Sequence, residues 1–181
     1  VYQYLSQGDY ESAISELSLK KGQGQKFKGT KNYILGISYA RTQDYEAAIK
    51  HFKLAIINKQ DEADVFYELG QAQYAMNELI DSRKAFVRSA KKGFKAPQSY
   101  YYVGHISQLL DEHKRAKNYF SKTLKHKETS VDMKQISRFQ LAESLLHMAR
   151  TKDDIQKYVS KYILPQMQKA LKVNSKSATA K

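Results

Sequence analysis

The chain is 181 residues long, 41% hydrophobic and 27% charged, with a net charge of +13 at pH 7 and no cysteine. That is enough apolar sequence for one domain or a short repeat array with a core of its own, and too much for a wholly disordered chain. Without cysteine there are no disulfides, thiolate zinc sites or cysteine nucleophiles, and no run of 18 apolar residues or basic-apolar leader is visible.

Helix is expected throughout: there are two prolines, and alanine, leucine, lysine, glutamate and glutamine are plentiful. Residues 1–28 carry Tyr4, Gly8, Asp9, Tyr10, Ala13 and Leu17, followed by a long connection, KKGQGQKFKG, at 20–29. Its glycines raise the question of phosphate cradling. No strand precedes them and no Gly-Lys-Ser/Thr follows, so a flexible turn is expected. From Tyr33 a pattern begins that returns at Tyr67 and Tyr101, a shift of 34 residues each time. Gly36, Gly70 and Gly104 coincide, as do Leu35, Leu69 and Val103, then Ala48, Ser82 and Ala116, then Phe52, Phe86 and Phe120. Between glycine and phenylalanine lie RTQDYE, MNELID and LLDEHK, acid-containing segments that end one helix and start another. Each copy, at 29–62, 63–96 and 97–130, therefore reads as two antiparallel helices, with small residues where they approach and an aromatic filling the space beyond. SRFQLAESLLHMARTKDDIQKYVSKYI reads as a divergent copy within 131–164, after about four extra residues. Pro165, Met167, Ala170 and Leu171 suggest a covering helix over 165–173, and the small polar residues 174–181 suggest a disordered tail.

Large apolar, Leu-Gly, Tyr, Ala, Phe, Ala in a 34-residue helix-turn-helix unit resembles the tetratricopeptide repeat. Residues 29–62 match nearly completely, through Leu35, Gly36, Tyr39, Ala48, Phe52 and Ala55. The next two copies lapse, with Gln73 and Ser107 for the tyrosine and Ser89 and Thr123 for the last alanine. Residues 1–28 match the later part of a unit whose first seven residues are expected to precede Val1, in a longer parent chain. The resemblance implies an all-α solenoid, a right-handed superhelix of helix pairs whose first helices line a concave groove. It places Tyr33, Ile37, Arg41, Tyr67, Gln71, Tyr74, Tyr101, His105, Gln108, Phe139 and Glu143 in that groove. Rigid aromatics among amides suit a peptide or partner segment, although neighbouring first helices touch and the same tyrosines could pack between repeats. The lysine, arginine and asparagine clamp of Hsp70 and Hsp90 co-chaperones is absent: its places hold Thr30, Tyr33, Ile34 and Ile37 and their counterparts.

Catalytic chemistry is not expected, and neither is a cofactor. The five histidines show no metal-ligand spacing, Asp111, Glu112 and His113 read as an acidic helix start, and no P-loop, dinucleotide fingerprint or glycine-framed serine appears. Charge accumulates along the chain, from +1 over residues 1–28 to +6 over 131–181. Lys114, Lys117, Lys122 and Lys125 fall on second-helix positions that the family turns outward. They read as a solvated face or a docking site for an acidic partner, with nucleic acid the weaker alternative because rings and lysines fall on different faces. The expected function is a non-enzymatic, protein-binding scaffold or adaptor, favoured for the cytoplasm, with self-association as a further alternative.

Overall fold

In the computed structural model, residues 1–168 are described, apart from 23, 61 and 166. The helices are α1 (Tyr2–Gln7), α2 (Tyr10–Leu19), α3 (Gln25–Arg41), α4 (Tyr45–Ile57), α5 (Ala63–Ala75), α6 (Leu79–Lys91), α7 (Ala96–Leu109), α8 (His113–Lys125), α9 (Val131–Met148) and α10 (Lys152–Tyr158). A π-helical turn, Val159–Ile163, continues α10. No strand occurs among the described residues. The chain is an all-α solenoid of consecutive helix pairs, divided into two compact units, Val1–Lys95 and Ala96–Lys181. In the first, α3 packs on α4 and α5 on α6; in the second, α7 packs on α8 and α8 on α9.

The repeated residues explain the pairing. Phe52, Phe86 and Phe120 are fully buried, each against the glycine of its own pair. A Cβ on Gly36 would lie 2.6 Å from the Phe52 ring, on Gly104 2.8 Å from Phe120, and on Gly70 3.2 Å from Phe86. Each buried ring contributes ~1.5–3 kcal/mol of transfer free energy, and the glycine lets the facing helix come close enough to bury it. Where a small apolar residue is replaced by a hydroxyl, a carbonyl answers it. Ser82 Oγ donates to the Gly70 carbonyl at 2.7 Å, Ser89 Oγ to that of Phe94 at 3.2 Å, and Thr123 Oγ1 to that of Tyr119 at 3.1 Å. The lapses from the repeat pattern therefore bury no unsatisfied hydroxyl at these three places.

The turns inside the pairs also repeat. Gly8, Gln43, Asn77 and Asp111 adopt left-handed φ values of 75°, 64°, 58° and 56°. The backbone N–H after each returns to a carbonyl five residues back, as from Asp44 to Tyr39 at 2.9 Å and from Glu78 to Gln73 at 2.8 Å. This is the six-residue closure that satisfies the last carbonyls of a helix. The next helix is then capped where an acid permits: Asp9 accepts from the Ser12 N–H and Asp44 from the Ala47 N–H, both at 3.0 Å.

One expectation changes. The connection expected over 20–29 is shorter, because α3 already begins at Gln25 and runs through Gly29. Gly29 is buried where a Cβ would lie 2.8 Å from the Asn58 carbonyl oxygen, so this glycine serves a close approach inside a helix. At the other end, residues 164, 165, 167 and 168 are helical and follow directly on the π-helical turn. The rest of the covering helix and the tail, 169–181, lie outside the described residues.

Candidate interaction surface on the first helices

On α3, Tyr33, Ile37 and Arg41 are one turn apart and share a side of the helix. Tyr33 and Ile37 are half-buried against the cluster around Phe52, and Arg41 is exposed. Two polar rungs join this side to α5. The Tyr33 hydroxyl donates to Asp64 Oδ2 at 2.7 Å, and Arg41 Nη2 lies 3.8 Å from Glu68 Oε2. Burial, then Asp64, holds the Tyr33 phenol above its ordinary range, so it remains a donor. Burial likewise raises the Glu68 carboxyl above its usual value, against the pull of Arg41 and Lys95.

Tyr67, expected in the groove, is only 5% exposed. Its ring meets Phe86 and Phe94 edge-on at 5.5 and 5.7 Å, and Lys95 Nζ stands 4.5 Å over its face. The burial follows from Phe94 and Lys95, which close over the ring from the turn after α6. Tyr67 thus packs where Tyr33 remains half-open. Gln71 and Tyr74, further along α5, are half-buried.

In the second unit, Tyr101 packs against Phe120 with ring centroids 5.8 Å apart and stacks on His105 at 6.2 Å and 9°. Burial holds the His105 imidazole below its ordinary value, opposed by Glu143. Gln108 bridges to α9: its Nε2 donates to the Gln140 carbonyl and to Ser144 Oγ, each at 3.0 Å, with Glu143 Oε2 at 3.4 Å. On α9, Phe139 is 51% exposed, and Ile136, Glu143 and Leu146 are exposed with it at helical spacing. The structure therefore brings Tyr101, His105, Gln108 and Glu143 together, and leaves Phe139 as the open ring.

The lysines expected to face outward are more mixed. Lys114, Lys122 and Lys125 line an open depression of about 820 Å³ on α8, together with Arg115, but Asp111 and Glu112 line it too. Arg115 pairs with Glu112, and Lys122 Nζ lies 4.6 Å over Tyr119 and 5.6 Å over Tyr100. Lys117 is half-buried and does not line it. His113 stacks on His147 at 4.3 Å and 7°, a contact that is legible only once α8 and α9 are paired. Phe94 and Lys95 were equally invisible as partners of Tyr67, since a turn carries no periodic signal. Among the described residues no group of three or more histidine, cysteine or acidic side chains could hold a metal ion. No described helix is long and apolar enough to cross a membrane.

Solved structures share this arrangement. One MamA structure superposes with a TM-score of 0.74 at 20% identity, covering 98% of this chain and 95% of that one. A second MamA structure gives 0.75 at 19%, covering 98% and 89%. BtubC (BKLC) from P. vanneervenii gives 0.67 at 12%, covering 95% and 73%. The fold is that of the tetratricopeptide repeat. At these identities the likeness concerns the fold. Neither a family model nor a curated protein matches the sequence.

Proposed function

We propose that the tetratricopeptide-like chain is an interaction module that holds a segment of a partner protein along its first helices, on α3 and α5 in one unit and on α7 and α9 in the other. The observation that supports this reading most is the composition of those helix sides. In the first unit Tyr33, Gln71 and Tyr74 are half-open, on helices joined by the Tyr33–Asp64 bond; in the second Tyr101 and Gln108 are half-open and Phe139 exposed, on helices joined by the Gln108–Ser144 bond. Rigid aromatics lose little entropy when covered, and their polar tips give a peptide backbone partners to bond. The helices are already fixed relative to each other within each unit, which lowers the ordering cost of binding.

Tyr74 and Phe139 are the informative residues because Tyr74 is half-open on α5 of the first unit and Phe139 exposed on α9 of the second. Tyr74→Ala together with Phe139→Ala should weaken partner capture by at least about tenfold, ~1.4 kcal/mol, with helical circular dichroism unchanged. Loss of helicity without a separable binding defect would contradict the reading.

A further inference from the structure

The connection between α2 and α3, shorter than the sequence suggests, forms one wall of a pocket of about 500 Å³ that the proposed function does not use. Lys20 and Lys21 reach it from the end of α2, Lys28 and Lys31 from the first turns of α3, and His51 from α4. No carboxylate lines it. Lys20 is offset by Glu16 at 2.5 Å, and Lys31 Nζ donates to the Lys20 carbonyl at 2.8 Å, which fixes that ammonium without neutralising it. Among the described residues, Lys21, Lys28 and Lys31 have no counter-charge in this concavity.

The walls are organised. Asn32 Nδ2 donates to the Lys28 carbonyl at 2.8 Å, so its Oδ1 is the acceptor facing His51 Nδ1, also at 2.8 Å. The imidazole therefore carries its proton on Nδ1, and it stacks on Tyr39 at 5.3 Å and 9°. Burial first, and then Lys50 and Lys31, hold it below its ordinary value. Gly22 lies on the Phe27 ring so closely that a Cβ would be 2.3 Å from it, which fixes the loop against the ring. Phe27 is still 39% exposed, and buried Leu35 supplies apolar floor.

We infer that this pocket binds a small phosphate ester, its phosphate held by Lys21, Lys28 and Lys31 and its apolar body set against Phe27 and Leu35. Phosphate is preferred to carboxylate because every cation here is a lysine, a point charge suited to a compact dianion, whereas planar carboxylates are matched by the arginine fork. The volume falls in the range of small-molecule sites, about 300–1,000 Å³. A bound dianion favours the charged imidazole, so occupancy raises the titration point of His51.

The test is heteronuclear NMR of the full chain titrated with phenyl phosphate, with inorganic phosphate and phenol as its two halves. Phenyl phosphate should shift amides of residues 18–35, bind more tightly than either half, and move the His51 titration upward. Lys21→Gln with Lys28→Gln should weaken it at least about tenfold, as expected for two lost charge-assisted bonds. Lys114→Gln with Lys125→Gln, in the other unit, should leave it unchanged. Absence of shifts at millimolar phenyl phosphate, or equal weakening by both pairs, would overturn the site. Tenfold tighter binding of a phosphoserine peptide than of phenyl phosphate would overturn the small-ligand assignment.

Discussion

The contact between Gly36 and the Phe52 ring shows how one atom sets a helix pair. Alanine is favoured over glycine inside a helix by ~1 kcal/mol, but an added methylene in a tight core costs ~1–3 kcal/mol. At Gly36 the new Cβ would stand 2.6 Å from a fully buried ring, and at Gly70 3.2 Å from Phe86. The overpacking term should win at Gly36 and nearly cancel at Gly70. Urea unfolding should therefore show Gly36→Ala destabilised by ~1–2 kcal/mol and Gly70→Ala within about 0.5 kcal/mol of the parent. Equal effects at the two sites would mean that the rings are not what holds the glycines. Gly36 and Phe52 were readable in advance because the same pair recurs at a fixed interval. The left-handed residues were not, since Gln43, Asn77 and Asp111 share a backbone shape without sharing a side chain.

Between elements, the rungs of the first unit are the features that sequence could not supply. Tyr33 with Asp64 and Arg41 with Glu68 are 31 and 27 residues apart, and only the register of α3 against α5 brings them together. Glu68 gives this joint a dependence on pH. Its carboxyl is raised above the ordinary value of 4.5 by burial, so the folded state holds its proton more tightly than the unfolded chain. Folding is then favoured by this group as pH falls from neutrality towards 4.5, and that contribution is lost as pH rises through the folded value. The acids Asp9, Glu16, Asp81 and Asp154 are shifted down and act in the opposite sense, so the parent alone does not isolate the effect. The difference between parent and Glu68→Gln does. By chemical denaturation at pH 7 and 5, the cost of Glu68→Gln should be larger at pH 5; a cost independent of pH would place the carboxyl outside the buried joint. The helix ends tell a related story. Gly24 and Gly29 both look like punctuation in the sequence, yet only Gly24 ends up outside the helix, because the backbone at Asn58 needs Gly29 to pass close.

Over the whole molecule the architecture was legible and the working surface only partly so. Periodicity recovers helix pairs because burying one face of each helix requires it, and the period survives even where Gln73 and Ser107 replace tyrosine. Which rings stay open is decided by neighbours outside the period. Tyr67 and Tyr101 occupy the same place in the repeat, yet Phe94 and Lys95 cover the first while the second stays half-open beside His105. The charge of +13 is likewise spread unevenly, and on α8 it is interrupted by Asp111 and Glu112, which argues against a continuous anion-binding face there. Whether the first helices hold a partner can be read by site-specific photo-crosslinking. With a photoreactive phenylalanine at Tyr74, at Phe139 or, as a second-helix control, at Lys50, crosslinks to a partner protein are expected from each of the first two positions and none from the third. Crosslinks from Lys50 alone, or equally from all three, would contradict binding along the first helices.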